Sequence, residues 1–177
     1  MNPPARTLRN VSLIGFMGVG KSSTGHLLAD SLGFEFVDTD AMIEQKVGMS
    51  VSEIFGQFGE PAFRDLEKQV GTVLETMNQK VIATGGGFGS NLENLQRLKS
   101  HSLVVCLWAS PEAIFERIRH QNHRPLLRDI DPLKRIRTLL TEREPIYRQA
   151  DVLVNTEARS TREVAQQIVH HFQAALK

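Results

Sequence analysis

The sequence predicts a three-layer α/β domain in which helices cover both faces of a five-stranded parallel sheet. Short apolar runs alternate with segments of helical spacing along all 177 residues, and no linker or internal repeat interrupts this order. The first run, at residues 11–14, suits a strand that is buried on both faces. Such an alternation favours parallel strands joined by crossover helices, in a single domain that spans residues 1–177.

Five apolar runs are the predicted strands, and all are short enough for a buried sheet. They lie at residues 11–14, 34–37, 80–84, 103–108 and 152–154.

The helices between the strands are predicted from their start and stop signals. Glycines at positions 33 and 48 end the first two helices, and residues 59–61, Gly-Glu-Pro, break the third. Serine caps, or an aspartate followed by proline, mark the helix starts. These starts are the capping boxes Ser50 with Glu53, Ser90 with Glu93 and Ser160 with Glu163, and the pairs Ser110 with Pro111 and Asp131 with Pro132.

Composition limits the classes of protein that the chain can belong to. A hydrophobic content of 41% excludes a disordered chain, and a net charge of +1 gives no bias toward nucleic acid or membrane. The one cysteine, Cys106, lies in an apolar run, which predicts a buried thiol rather than a catalytic one. The first ten residues lack an apolar signal segment, and no run of about 18 apolar residues occurs. We therefore expect a soluble cytoplasmic protein with neither a nucleic-acid nor a membrane partner.

Residues 15–22, which read Gly-Phe-Met-Gly-Val-Gly-Lys-Ser, form a phosphate-loop signature between the first strand and the first helix. The glycines let consecutive backbone N–H groups face an anion at the positive end of the helix. In this motif Lys21 reaches the β and γ phosphates, and Ser22 is a magnesium ligand. The alternative is a glycine-rich turn that happens to carry a lysine. The predicted nucleotide contacts are Gly18, Val19, Gly20, Lys21, Ser22 and Ser23.

Two more polar segments follow predicted strands. Asp38 and Asp40 end the second strand, where a spacing of two predicts side chains on the same side, and residues 85–87, Gly-Gly-Gly, follow the third strand. Because ligands of such sheets lie beyond the carboxyl ends of the strands, we expect both segments to meet the phosphate loop around one cleft. One carboxylate near magnesium and one near an acceptor hydroxyl would suit phosphoryl transfer, although the pair could also cap the next helix.

Arginines supply the remaining candidates. Arg64 and Glu67 share a helix face, and on spacing alone they are most often an exposed ion pair. Arg124 lies in a polar loop, where it is either a surface residue or part of a lid that excludes water and neutralises charge on a transferred phosphoryl group.

In combination, these motifs resemble shikimate kinase from residue 11 to about residue 168. The matching segments are the phosphate loop at 15–22, Asp-Thr-Asp at 38–40, Gly-Glu-Pro-Ala-Phe-Arg at 59–64 with Glu67, Thr-Gly-Gly-Gly at 84–87, Arg-Pro-Leu-Leu at 124–127 and Arg-Glu-Pro-Ile-Tyr at 143–147. The resemblance implies a P-loop fold like that of nucleoside-monophosphate kinases. It also implies ATP- and Mg²⁺-dependent phosphorylation of the 3-hydroxyl of shikimate, on the route to chorismate and aromatic amino acids.

By position, the resemblance assigns roles to individual residues. Asp40 would hold the reacting hydroxyl, Asp38 would contact magnesium through water, and Lys21 and Arg124 would stabilise the transferred group. The shikimate carboxylate would be bound by Arg64, which Glu67 orients, and by Arg143. The remaining assignments are Gly85, Gly86 and Gly87 beside shikimate, Phe55, Phe63, Pro125 and Leu126 as apolar walls, Arg117 along the adenine, and Arg159 as a looser adenine-side match. Substrate-binding helices at about 38–67, a lid at about 120–130 and a monomer are expected.

Other functions stay open from the sequence. One alternative is another small-molecule kinase of the same fold, such as a gluconate or nucleotide kinase. Another is a silent ATP-binding regulatory module, although Asp40 and Arg64, whose loss would mark such a module, are both present.

Overall fold

Five parallel strands in the order β2-β3-β1-β4-β5 form the central sheet of the computed structural model, which describes residues 6–120 and 131–177. The central strand, β1, pairs with both β3 and β4. The strands are β1 Asn10–Ile14, β2 Glu35–Asp38, β3 Lys80–Ala83, β4 Ser102–Trp108 and β5 Val152–Asn155. The predicted fold class and all five predicted strands are confirmed.

Helices connect the strands and cover the sheet. They are α1 Lys21–Leu32, α2 Thr39–Val47, α3 Val51–Leu74, α4 Leu92–His101, α5 Pro111–Ile118, α6 Pro132–Tyr147 and α7 Thr161–Ala175, with a short 3-10 helix at Phe88–Ser90. Among the helices of the two described ranges, none has both the length and the apolarity needed to cross a membrane.

Two apolar clusters hold the layers together, one on each face of the sheet. The cluster beside α1, α5 and α7 includes Leu13 of β1 and Ile168 of α7, whereas the cluster beside α2, α3 and α4 includes Ile14 of β1 and Val70 of α3. Adjacent residues of β1 thus belong to different clusters, as expected for a strand buried on both faces. Cys106 lies in the second cluster, where burial raises the pKa of its thiol to about 12, so its predicted structural role is confirmed.

One predicted helix start is wrong. Ser90 does not cap α4, because it ends the 3-10 helix and its hydroxyl donates to Gly87 O at 2.8 Å. Asn91 is the cap, with its side-chain oxygen accepting from Asn94 N at 3.1 Å. The turn that follows the glycines delays the helix by one residue, and asparagine caps helices as well as serine does. The boxes at Ser50 and Ser160 are confirmed.

The predicted interruption before Pro61 is also present, as a kink within α3 rather than a gap. Gly59 has φ 78° and ψ 175°, outside the helical region, while the segments on both sides remain helical. This left-handed φ is readily adopted by glycine alone. The kink separates the first two turns of α3 from the turns that carry Arg64 and Glu67.

The strand order determines where a ligand can bind. From β1 the chain passes to β2 on one side of the sheet, whereas from β3 it crosses to β4 on the other side. The crevice between the carboxyl ends of β1 and β3 is therefore the switch point at which such sheets bind ligands. Thr84 N donates to Leu13 O at 3.1 Å, which continues the pairing of these strands up to the loops at 15–20 and 85–87.

Candidate active site

The phosphate loop leads directly into α1, with Gly20 as the cap residue. Lys21 is buried, and its ammonium donates to Gly15 O and Phe16 O, both at 2.8 Å. These bonds hold the ammonium against its own loop, where the motif requires a cation for phosphate.

Asp38 caps α2 with one carboxylate oxygen and contacts Ser22 with the other. Its Oδ1 accepts from Asp40 N at 2.9 Å and from Ala41 N at 3.3 Å, which caps α2. Its Oδ2 accepts from the Ser22 hydroxyl at 3.4 Å. A carboxylate and a hydroxyl side by side are hard oxygen donors that fit Mg²⁺, which takes few protein ligands and completes its shell with phosphate and water. The described residues contain no group of three or more His, Cys, Asp or Glu arranged to hold a metal ion.

Asp40 lies on a helix and not at the end of a strand as predicted. The expectation from strand periodicity is wrong, because β2 ends at Asp38 and Asp40 lies in the first turn of α2. Its carboxylate instead packs against Gly85, where an added Cβ would come within 2.3 Å of Asp40 Oδ1. The preceding residue, Thr39, is buried and accepts from Gly85 N through its hydroxyl at 2.9 Å. The first turn of α2 is therefore fixed to the glycine loop.

Arg64 is held by two glutamates. Its Nη1 donates to Glu67 at 2.8 Å, and its Nη2 and Nε donate to Glu60 at 2.7 and 3.1 Å. The Glu67 side chain is only 1% exposed, so the surface ion pair that spacing favours is wrong. Burial raises the pKa of Glu67 even though Arg64 favours its charged form. Burial also opposes the charge on Arg64, but the two glutamates outweigh it and raise the pKa of Arg64.

Arg143 approaches the same loop from α6. Its Nη1 donates to Gly86 O at 2.9 Å, and its guanidinium lies over the Phe16 ring at 5.3 Å from the centroid. Tyr147, one turn further along α6, donates from its hydroxyl to the same carbonyl at 2.8 Å. The sequence pattern assigns no role to Tyr147, although the residue ends one of the matching motifs.

The three consecutive glycines thus meet three of the predicted site residues in turn. Gly85 faces Asp40, Gly86 accepts from Arg143, and Gly87 faces Arg64, whose Nη1 would lie 2.4 Å from an added Cβ. A Cβ at Gly86 would approach Met17 N of the phosphate loop at 3.4 Å. The loop at 85–87 therefore joins one carboxylate and two guanidiniums to the edge of the phosphate loop.

A cleft of about 220 Å³ opens on the other side of the phosphate loop. Arg117 crosses it, donating to Thr156 O at 2.8 Å, to Thr156 Oγ1 at 2.9 Å and to Gly18 O at 3.3 Å. Arg159 is exposed at the rim and donates to Gln167 Oε1 at 3.0 Å. Thr156 has no predicted role, yet it follows β5 at a strand end, which is the signal that located the aspartates. The lining also includes Val19, Gly20, Ser23, Thr24, Thr161 and Val164.

Apolar side chains lie beside Arg64. The rings of Phe55 and Phe63 pack 4.7 Å apart, and Arg64 lies 5.6 Å from the Phe63 centroid. Phe55 is 37% exposed, so part of this surface can contact a ligand. The predicted lid, with Arg124, Pro125 and Leu126, falls outside the described residues from position 121 onward.

Comparison with known proteins gives a consistent family. The shikimate kinase family model matches residues 17–173. A shikimate kinase from Thermodesulfovibrio yellowstonii is 45% identical over 166 residues, which cover 94% of this chain and 96% of that protein. One from Thermus thermophilus is 46% identical over 160 residues, covering 90% of this chain and 87% of that protein.

Solved structures agree with the sequence comparisons. The structure of shikimate kinase from Acinetobacter baumannii in complex with shikimate superposes with a TM-score of 0.89 at 37% identity, covering 96% of this chain and 95% of that one. A gluconokinase from Sinorhizobium meliloti has a TM-score of 0.64 at 18% identity, covering 96% of this chain and 94% of that one, so it resembles this chain in fold alone.

Proposed function

We propose that ATP and shikimate meet in the cleft around residues 85–87. The chain belongs to the shikimate kinase family, whose members phosphorylate an alcohol of shikimate. The γ-phosphoryl group of ATP passes to the 3-hydroxyl of shikimate, which gives shikimate 3-phosphate and ADP. We propose that the catalytic unit is a monomer, because Asp40, Arg64 and Arg143 meet residues 85–87 of their own chain.

The acceptor side of the cleft recognises a carboxylate and a hydroxyl. Arg64 and Arg143 bind the carboxylate, because planar guanidiniums match its two oxygens. Their contacts with Gly87 and Gly86 support this assignment. Asp40 accepts a hydrogen bond from the 3-hydroxyl and takes its proton as the oxygen attacks phosphorus.

The donor side binds the nucleotide. Lys21 binds the β and γ phosphates, while the backbone N–H groups of the loop and of Ser23 surround them. ATP supplies the phosphoryl group, and Mg²⁺, when bound, offsets the negative charge of the phosphates. Ser22 and Asp38 would hold Mg²⁺, a fit supported by their adjacent oxygens. On the base side lie Arg117 and Arg159, and we assign charge neutralisation at the transferred group to Arg124.

The observation that carries this proposal is the run of contacts from Gly85 to Gly87. Those contacts bring an acid and two forked cations next to a phosphate loop. The arrangement suits a small acceptor that has both a carboxylate and a hydroxyl.

A panel of acceptors tests the proposal. ADP release is measured with shikimate, gluconate and nucleoside monophosphates under identical conditions. We expect kcat/KM with shikimate to exceed the others by about 10²-fold or more. A nucleoside monophosphate has no carboxylate for the two arginines, and gluconate is an open chain that does not hold its carboxylate and hydroxyl in the fixed arrangement of the shikimate ring. Comparable turnover with gluconate or a nucleotide would indicate a different kinase, and ATP binding without ADP release would indicate a regulatory module.

A further inference from the structure

The carbonyl of Gly86 differs from those of its neighbours in its hydrogen-bond partners. Gly85 O accepts from Phe88 N at 3.1 Å, and Gly87 O accepts from Ser90 N at 3.2 Å and from Ser90 Oγ at 2.8 Å. Both neighbouring carbonyls are thus used by the turn that forms the 3-10 helix. The Gly86 carbonyl takes its donors from elsewhere in the chain.

Those donors are two side chains of α6, Arg143 Nη1 at 2.9 Å and the Tyr147 hydroxyl at 2.8 Å. The two residues are four apart, so they lie on the same helix face. A carbonyl oxygen has two lone pairs and can accept both bonds at once. These two bonds tie the Gly86 carbonyl to α6.

The Tyr147 hydroxyl is suited to keep its hydrogen bond to the Gly86 carbonyl whether or not substrate is bound. It is 7% exposed, and burial raises the pKa of its hydroxyl to about 12, so the group stays a neutral donor at neutral pH. Its ring belongs to the apolar cluster that contains Ile14 and Cys106, which fixes its orientation. Arg143 is half-buried and has donors to spare for a substrate carboxylate.

We propose that Tyr147 is a positioning residue for carboxylate recognition: its hydroxyl fixes the Gly86 carbonyl, and the fixed carbonyl orients Arg143. The Phe16 ring, 5.3 Å from the Arg143 guanidinium carbon, bounds the same guanidinium. With Tyr147 in place, Arg143 presents its remaining N–H groups in one orientation before the substrate arrives. This inference rests on the function proposed for Arg143.

A purely structural role for Tyr147 makes a different prediction. Ring packing in the cluster requires only the aromatic ring, which phenylalanine also supplies. Tyr147→Phe therefore retains the ring and removes the hydroxyl, together with its bond to Gly86 O and its hydrogen bond with Arg143.

The test measures kcat and both KM values for Tyr147→Phe. We expect the KM for shikimate to rise about tenfold, the effect of losing one buried hydrogen bond, while kcat and the KM for ATP change less than about twofold. Ser12→Ala is the matched control, because it also removes a buried hydroxyl, one that lies in the middle of β1, 2.8 Å from Ser102 Oγ of β4. Both KM values of the control should equal those of the wild type.

A second arm asks whether Tyr147 acts through Arg143. In an Arg143→Lys background, which lacks the forked guanidinium, the additional effect of Tyr147→Phe on the shikimate KM should shrink to less than about twofold. With the methyl ester of shikimate, which has no carboxylate charge, Tyr147→Phe should also have little effect. Equal losses in both backgrounds, or a parallel rise in the KM for ATP, would overturn the inference.

Different results would overturn the proposed function and the role proposed for Tyr147. A wild-type chain that does not turn over shikimate would overturn the proposed function and this inference together. An active wild type with an unchanged shikimate KM in Tyr147→Phe would overturn this inference alone.

Discussion

Asp40 has the chemistry that proton transfer requires. It lies in the first turn of α2, its backbone N–H donates to Asp38 Oδ1, and its carboxylate packs against Gly85. These contacts on both sides restrict where the carboxylate can point. In the role that we propose for it, a carboxylate held in this way aligns a hydroxyl with phosphorus and accepts its proton.

Asp40→Asn should therefore lower kcat by about 10² to 10⁴, because the amide keeps the size of the side chain but cannot take a proton. We expect the KM for shikimate to change only a few-fold. Initial rates across a pH range measure both effects, with Asp30→Asn, an exposed residue of α1, as the control. Near-normal turnover with unchanged pH dependence would remove Asp40 from the role of base.

Arg64→Ala should raise the KM for shikimate by about 10²-fold and leave the KM for ATP nearly unchanged, because we assign the guanidinium to the acceptor side of the cleft. Arg97→Ala is a close control, since Arg97 also bridges two glutamates, Glu75 and Glu93, but on α4. Titrating each substrate at saturating levels of the other separates the two KM values. A selective loss of ATP affinity in Arg64→Ala would contradict the assigned pocket.

The burial of the Arg64 and Glu67 pair could not be predicted from the spacing of the two residues. Their spacing of three predicts that they share a helix face, but an exposed pair and a buried pair have the same spacing. The 1% exposure of Glu67 decides between them, and it depends on how α3 packs against the rest of the chain. No local pattern contains that information.

At the scale of elements, the loop after β3 needs glycines because side chains of other segments occupy the space where a Cβ would lie. Gly85 and Gly87 both lack a positive φ, so alanine is compatible with their backbone. A methyl group would instead displace the side chain opposite, Asp40 in one case and Arg64 in the other.

This difference predicts separate effects for two similar substitutions. Gly85→Ala should mainly lower kcat, and Gly87→Ala should mainly raise the KM for shikimate, each by about tenfold or more. Gly71→Ala, whose methyl would meet Arg97 Cδ at an ordinary 3.4 Å, is the control. Steady-state kinetics measure the losses in kcat and KM, and thermal unfolding shows whether a variant has also lost stability. Identical kinetic defects in the first two variants would contradict the assigned contacts.

The opposite end of the sheet has a buried polar junction between β1 and α4. Asn10 accepts from Lys80 N at 2.9 Å, which identifies its other side-chain atom as the amide nitrogen. That nitrogen donates to Met77 O at 2.8 Å and lies 3.0 Å from His101 Nδ1, so Nδ1 is the acceptor and the ring is neutral. Burial, followed by the charge of Arg9, lowers the pKa of His101.

This histidine makes stability pH-dependent with a definite sign. Its pKa is lower in the folded than in the unfolded chain, so below about pH 6.5 the unfolded chain takes up a proton that the folded chain does not. Stability should be full above that pH and fall as the pH decreases. Urea unfolding at about pH 7.5 and about pH 5.5 should show a larger loss of stability for the wild type than for His101→Gln, on the order of 1 kcal/mol. His170→Gln, at an exposed position, should behave like the wild type, and an equal loss in His101→Gln would contradict the assignment.

For the whole molecule, the sequence was sufficient to predict the architecture but not every contact in the cleft. The alternation of apolar runs and capped helices predicts the layers and the strands, and the strand-end rule predicts that three loops meet. The placement of Asp40 in α2 and the cap at Asn91 differ from prediction because turn geometry moved helix starts by a residue or two. The bond from Tyr147 to Gly86 joins residues 61 apart in sequence, and only the packed fold brings them together.

The central claim is that one chain brings the γ-phosphoryl group of ATP to a hydroxyl of shikimate within one cleft. The most direct test incubates the wild-type chain with γ-labelled ATP and shikimate and identifies the labelled product by mass spectrometry and NMR. We predict shikimate that carries a single labelled phosphate on its 3-hydroxyl, with one ADP released for each product formed. ADP release without labelled shikimate, or label on another hydroxyl, would contradict the claim.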